Sequence, residues 1–244
     1  MHLSIIIPSY NEEKRLGASL ERIRSFLASK DYEREVVVVN DGSRDRTSEV
    51  ARAETEAFRA AGVELRVVEN PGNRGKGYSV RNGIFQARGH IALFTDADLS
   101  APIEEADKLI RPIETDDYDV VFASRALSDS VIPVRQSVFR ETAGRTFNVL
   151  MRGIVGLPYK DTQCGFKAFR RDRALPVFER QRIDGFGFDA EVLFVARKLG
   201  LRLLELPVVW SHVEGSKVGM LSDSTRMFTD LVQIRWNQVR GRYS

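Results

Sequence analysis

Leu3–Ile7 is an unbroken apolar run, the pattern of a strand buried on both faces. Four further runs of mostly apolar residues follow at Val36–Val39, Leu65–Val68, His90–Phe94 and Asp119–Ala123. Between them the period becomes helical. Leu16, Leu20, Ile23 and Leu27 recur at helical spacing behind Asn11, the expected N-cap. A second helix is expected from the turn Asn40-Asp41-Gly42-Ser43 to about Ala61, a third over roughly Gly75–Arg88 and a fourth over about Pro102–Ile113. Strands alternating with helices through short connections predict an α/β fold, a doubly wound, mostly parallel central sheet flanked by helices.

Beyond residue 125 the rhythm breaks. Residues 131–157 read as helical or irregular, Gly165–Arg170 as a short strand, Phe186–Leu199 as a helix, Leu201–Trp210 as a strand and Ser222–Val239 as an amphipathic helix. Phe139, Phe147, Val149, Leu150, Ile154, Val155 and Leu157 are core candidates. No repeat, low-complexity tract or linker divides the chain, so one domain over 1–244 is expected.

Composition narrows the class. With 43% hydrophobic and 29% charged residues, the 244-residue chain is too apolar for a disordered polypeptide and too charged for a multi-span membrane protein. Lys and Arg exceed Asp and Glu by only 37 to 34, so no concentrated basic face for nucleic acid is expected. Cys164 is the sole cysteine, which excludes an intramolecular disulfide and a thiolate zinc cage; a buried structural thiol is expected there. No basic leader precedes the apolar run, and no window of about 18 residues is free of charge. A cytoplasmic protein without a membrane span is the resulting expectation.

Ligands of open α/β sheets bind outside the carboxyl ends of the strands. Three such ends carry chemistry: Pro8-Ser9-Tyr10-Asn11-Glu12, Asn40-Asp41-Gly42-Ser43 and Thr95-Asp96-Ala97-Asp98. Any one alone reads as a cap or turn. Asp96 and Asp98 are carboxylates two positions apart, a costly pairing unless a cation sits beside them. A hard divalent ion, which takes one or two carboxylates plus substrate phosphates, suits them and suggests a nucleoside diphosphate donor.

Pro8-x-Tyr10-Asn11-Glu12, Asn40-Asp41-Gly42-Ser43 and Asp96-Ala97-Asp98, in this order, resemble the GT-A fold glycosyltransferases of family 2. The resemblance implies that Pro8, Tyr10, Asn11, Glu12 and Asp41 hold the nucleotide, and that Asp96, Ala97 and Asp98 bind the sugar nucleotide. Asp96 and Asp98 would also hold the metal, Mg²⁺ or Mn²⁺. Residues 1–125 then form the nucleotide-sugar half and 126–244 the acceptor half. Lys160-Asp161-Thr162-Gln163-Cys164-Gly165-Phe166-Lys167, Phe186-Gly187-Phe188-Asp189-Ala190-Glu191 and Val213-Glu214-Gly215-Ser216-Lys217 look like the polyprenyl-phosphate sugar transferases, the dolichyl-phosphate glucosyl branch first and the mannosyl branch next. This implies an inverting, metal-dependent hexosyltransferase moving glucose from UDP-glucose, or mannose from GDP-mannose, to a lipid phosphate.

A phosphate monoester, with a second pKa of about 6, is already an anionic nucleophile at neutral pH. Its enzyme needs cations more than a general base. Residues 135–173 hold nine Lys and Arg against three acids. Arg125 and Arg140, with Ser216 and Lys217, are the candidates for the acceptor phosphate, Arg through its planar fork. Asp98, Arg125 and Asp189 are the catalytic candidates, with Asp189 shaping the acceptor side. Asp189 and Glu191, two apart on a helix, do not share a face.

Gly72-Asn73-Arg74-Gly75-Lys76-Gly77-Tyr78 has the glycine spacing of a phosphate loop, but Tyr78 stands where that motif requires Lys. The resemblance places Lys76 near the donor; a glycine-shaped turn with Lys76 in solvent is the other reading. His212 reads as an ordinary surface histidine. Two rivals remain: transfer to a hydroxyl acceptor with Asp189 as base, and a non-catalytic nucleotide-sugar-binding module. Membrane contact, if made, falls to residues 136–157 and to Met227, Phe228, Leu231, Val232, Ile234 and Trp236 with Arg226, Arg235, Arg240 and Arg242, or to a membrane-protein partner.

Overall fold

The apolar runs become strands close to their expected positions in a computed structural model that describes residues 1–134, 138–213 and 222–244. β1 (Leu3–Ser9), β2 (Arg34–Asn40), β3 (Glu64–Glu69), β4 (Ile91–Thr95) and β5 (Val120–Ser124) alternate with helices. These are α1 (Leu16–Ala28), α2 (Thr47–Ala53), α3 (Thr55–Ala60), α4 (Lys76–Gln86) and, after a 3₁₀ turn at Ile103–Glu105, α5 (Ala106–Glu114). Then follow α6 (Val138–Val155), β6 (Phe166–Arg170), α7 (Arg171–Arg180), α8 (Phe188–Lys198), β7 (Leu203–Pro207) and α9 (Ser222–Val239).

The strands lie in the order β3-β2-β1-β4-β6-β5-β7. β1, β2, β3 and β4 are mutually parallel, and β5 is parallel to β7. β6 runs antiparallel between β4 and β5, so the sheet is mostly parallel. The order reverses beside β1, with β2 on one side and β4 on the other, which opens the crevice where α/β sheets bind ligands.

Side chains alternate along each strand, and both faces are covered. Ile5, Ile7, Val36, Val38 and Leu93 pack with Leu20 and Ile23 of α1, Phe58 of α3 and Leu109 of α5. Ile6, Val37, Val39, Ala92 and Phe94 pack with Ile84 of α4, Phe178 of α7, Leu193 of α8 and Leu231 of α9.

Several expectations shift. The helix expected to run to Ala61 is two, α2 and α3, meeting at Glu54. α7 was not expected, because Pro176 and five charged residues mask its apolar period. Asn11 does not cap α1; it adopts a left-handed φ of 54° and its side chain accepts the Arg44 N–H at 2.8 Å. Of the core candidates in 139–157, Val155 and Leu157 are buried, Ile154 is half-buried and Val149 is exposed; Met151, not among the candidates, is buried too. The side chains of Phe139, Phe147 and Leu150 lie outside the described set.

α4 lies against the sheet through Gly83. A Cβ there would overlap Ile6 Cγ2 and come within 3.1 Å of Val39 Cγ2. Both neighbours are β-branched and stiff at χ1. Gly83→Val is expected to lose about 2–3 kcal/mol of stability through overpacking, despite the better backbone entropy of any non-glycine residue in a helix. Urea unfolding followed by circular dichroism reads this directly, and equal stability would mean that α4 does not pack so closely.

Candidate active site

The loop after β1 and the loop after β2 are laced together at the sheet edge. Ser9 C=O accepts the Asp41 N–H at 2.8 Å, Ser43 Oγ accepts the Asn11 N–H at 2.8 Å, and Thr47 Oγ1 accepts the Glu12 N–H at 2.7 Å. Pro8 and Tyr10 flank this seam, Pro8 in register with Val39. The Asp41 carboxylate accepts from Asn70 Nδ2 at 2.8 Å and from the Arg74 and Gly75 N–H groups at 2.9 and 2.8 Å. Asp41 therefore shapes the 70–75 loop, which delivers Lys76 at the start of α4.

Lys76 does not point into solvent. Its Nζ lies 2.6 Å from Asp96 Oδ1 at the end of β4. Nearby Asp96, Asp189 and Asp98 raise the lysine's pKa against the opposing effect of burial, so it is fully charged at neutral pH. Asp98 Oδ1 accepts the Ser100 N–H at 3.0 Å, and Oδ2 lies 3.8 Å from Arg15 Nη1. Arg15 in turn grips Glu12, with Nη2 2.9 Å from Oε1. Ala97, between the two aspartates, is anchored through its carbonyl by Ser19 Oγ at 2.7 Å.

The antiparallel strand brings in the second half of the chain. Thr95 pairs with Phe166, which sets Gly165 beside Asp96; a Cβ at Gly165 would overlap the Asp96 carboxylate. Lys167, in the middle of β6, is fully buried, its ammonium 5.3 Å from the Phe94 ring centre. It donates to Asp189 Oδ1 at 2.5 Å and to the Cys164 carbonyl at 2.6 Å. Asp189 is only 2% exposed, and burial outweighs Lys167 and Lys76 to hold its pKa above the usual carboxylate range. Glu191 faces the other way, accepting Tyr243 OH at 2.5 Å and the Ile183 N–H at 2.8 Å. Burial pushes the Cys164 thiol up to about 12, consistent with a structural thiol.

At the end of β5, Arg125 forks onto Asp161, Nε to Oδ2 at 2.6 Å and Nη2 to Oδ1 at 2.9 Å. Its backbone N–H donates to the same carboxylate at 3.0 Å. The guanidinium lies 5.4 Å from the Trp210 ring centre, and the side chain keeps 29% exposure toward the edge. His212 stacks beyond, 6.3 Å from Trp210.

Asp41, Lys76, Asp96, Asp98, Arg125 and Asp189 thus share one edge of the sheet. Arg140 lies on α6, its side chain outside the described set, and Ser216 and Lys217 lie outside the described residues. Not every described cation of the basic stretch turns to the site. Arg170, at the far end of β6, donates to the Ile113 carbonyl at 3.2 Å and pairs with Asp116 at the opposite edge. Arg15, Asp161, Lys167 and Trp210 were not singled out from the sequence. A lysine inside the apolar strand Phe166-Lys167-Ala168-Phe169 was the available signal, since a buried charge needs a partner.

The pattern of Glycosyl transferase family 2 matches residues 4–175. Relatives align over nearly the whole chain. The dolichyl-phosphate beta-glucosyltransferase of Saccharomyces cerevisiae is 36% identical over 99% of this chain and 76% of its own length. That of Homo sapiens is 33% identical over 99% and 77%, and that of Dictyostelium discoideum 32% over 99% and 76%. Among solved structures, glucosyl-3-phosphoglycerate synthase from Mycobacterium tuberculosis, crystallised with Mn²⁺, UDP and glucosyl-3-phosphoglycerate, superposes with a TM-score of 0.69 at 21% identity, covering 96% of this chain and 79% of that one. The likeness establishes the GT-A fold.

Arg125 holds the Asp161 carboxyl below the usual carboxylate range against the cost of burial. A depressed pKa contributes stability above the unfolded value, near 3.9, and that contribution is lost as pH falls through the folded value. Urea midpoints measured from about pH 6 down to about pH 3 should therefore fall less steeply in Asp161→Asn than in the parent, from a lower starting value. Parallel profiles would mean that the pair contributes nothing to acid stability.

Proposed function

The chain belongs to glycosyl transferase family 2, and we propose that it moves glucose from UDP-glucose to the phosphate of a polyprenyl lipid, with inversion at the anomeric carbon. The observation that carries this reading is the meeting of two carboxylates, Asp96 and Asp98, with Lys76 and Arg125 at one sheet edge, in a chain whose relatives over nearly its whole length are dolichyl-phosphate beta-glucosyltransferases. The loops of Pro8–Glu12 and Asn40–Ser43 offer the nucleotide seat, stiffened by their mutual hydrogen bonds.

Asp96 and Asp98 fit a divalent ion by their donor chemistry. Both offer hard oxygens, and among the described residues the Asp98 carboxylate meets no cation nearer than Arg15 at 3.8 Å, itself committed to Glu12. Mg²⁺ or Mn²⁺ there would neutralise charge developing on the departing diphosphate. Among the described residues no group of three His, Cys, Asp or Glu side chains forms a cage, so donor phosphates would complete the shell.

Lys76 holds Asp96 in place and screens its charge as the donor approaches. Arg125, oriented by Asp161 and backed by Trp210, presents its exposed side to the acceptor phosphate. That phosphate attacks as an anion and requires no proton acceptor. Asp189, buried and joined to Lys167, suits the role of holding the lysine in place better than that of a base reaching substrate. Its raised pKa is the one observation favouring a hydroxyl acceptor with Asp189 as base.

Labelled UDP-glucose and GDP-mannose, each offered with a short polyprenyl phosphate and Mg²⁺ or Mn²⁺, test the proposal. Glucose transfer is expected to fall at least about 10²-fold in Asp98→Ala with circular dichroism unchanged. Full activity of that variant with metal chelated would overturn the reading. Turnover of hydroxyl acceptors alone, abolished in Asp189→Asn, would favour the alternative.

A further inference from the structure

α9 has two apolar faces. Leu231 and Ile234 are buried against the core together with Asn237, as expected of a docked helix. Phe228, Val232, Trp236 and Val239 are 43, 50, 55 and 79% exposed, four of the nine exposed large hydrophobic residues among those described. At about 100° per residue these four fall within an arc of roughly 80°, centred some 160° from the buried stripe. A helix docked on a core ordinarily turns a polar face outward.

The borders of this arc are positive. Arg235 lies on one side and Arg226 and Arg240 on the other, all exposed, as is Arg242 just beyond the helix. The Arg240 guanidinium stacks 4.6 Å from the Trp236 ring centre. Among the described residues from 226 to 244 no acidic side chain is exposed; Asp230 is half-buried and accepts the Gly187 N–H at 3.2 Å. α6 packs against α9 and adds exposed Val149 and Arg152. None of the described helices is long and apolar enough to cross a membrane.

We infer that the outer face of α9 docks the protein flat on a bilayer surface that carries anionic lipid. An apolar arc bordered by arginines, with a tryptophan at its margin, is the pattern of a helix lying in the interface plane. Charge decides against a second copy of the chain as the occupant. Two-fold pairing through this face would set the same arginines against each other, whereas anionic headgroups neutralise them. The inference draws on the proposed lipid acceptor only for its purpose; the residues that carry it lie outside the transfer site.

Co-sedimentation of the full chain with vesicles, in the absence of substrates, tests the docking. The parent is expected to sediment with phosphatidylcholine–phosphatidylglycerol vesicles at low ionic strength, and far less with phosphatidylcholine alone or in high salt. Val232→Glu/Trp236→Glu and Arg235→Glu/Arg240→Glu should each reduce the bound fraction about tenfold, with thermal unfolding unchanged because all four positions are exposed. A parent that stays in the supernatant with both vesicles, variants that sediment like the parent, or a parent dimer that these substitutions disperse would each overturn it. Glucose transfer to a short, water-soluble polyprenyl phosphate without vesicles should be the same in parent and variants. Its absence from the parent would sink the acceptor reading and leave the docking result standing.

Discussion

Carboxylates gathered at one edge of a sheet repel one another, and this edge holds because basic side chains from other elements are set against them. Asp96 faces Lys76, Asp161 faces Arg125, Asp189 faces Lys167, and Arg15 bridges Glu12 and Asp98. Two like charges 4 Å apart cost about 4 kcal/mol at an effective dielectric constant of 20, so the crowd is unfavourable without these partners. Most of the pairs join distant parts of the chain. Lys76 ties α4 to the end of β4, Lys167 ties β6 to α8, and Arg125 ties β5 to the segment before β6. The interactions that neutralise the edge also fix its geometry.

That geometry suits chemistry on phosphates. In the proposed reaction a diphosphate donor and a phosphate acceptor would bring several negative charges to one place, and the edge offers a carboxylate pair suited to a divalent ion and cations already oriented by buried partners. Preorganised charge of this kind costs little reorganisation when the reaction occurs. Lys167 contributes without reaching the surface: it neutralises Asp189 beneath the site and so keeps α8 against β6.

The strands of the first half were legible because both faces of the sheet are covered, which demands nearly continuous apolar runs. The loaded strand ends were legible because nothing in a helix cap requires three such motifs in series. β6 was legible as a strand but not as an antiparallel one inserted between β4 and β5, since its apolar pattern is the same in either direction. α7 escaped because Pro176 interrupts its period. Arg170 and Arg171 were counted in the basic stretch around Lys167; strand direction carries them to the far edge.

The linear chain alone settled the class of fold, the edge of the sheet where the charged strand ends gather, and the pairing of Asp96 with Asp98 along it. These follow from local rules, hydrophobic period and the residues after each strand, which a linear chain displays. Which cation meets which carboxylate was decided only by tertiary structure. Lys76 meets Asp96 across 20 residues of chain, Lys167 meets Asp189 across 22 and Arg125 meets Asp161 across 36. The register of the antiparallel strand and the close approach of α4 set those distances, and neither the direction of a strand nor the depth of a helix is written in its own apolar pattern.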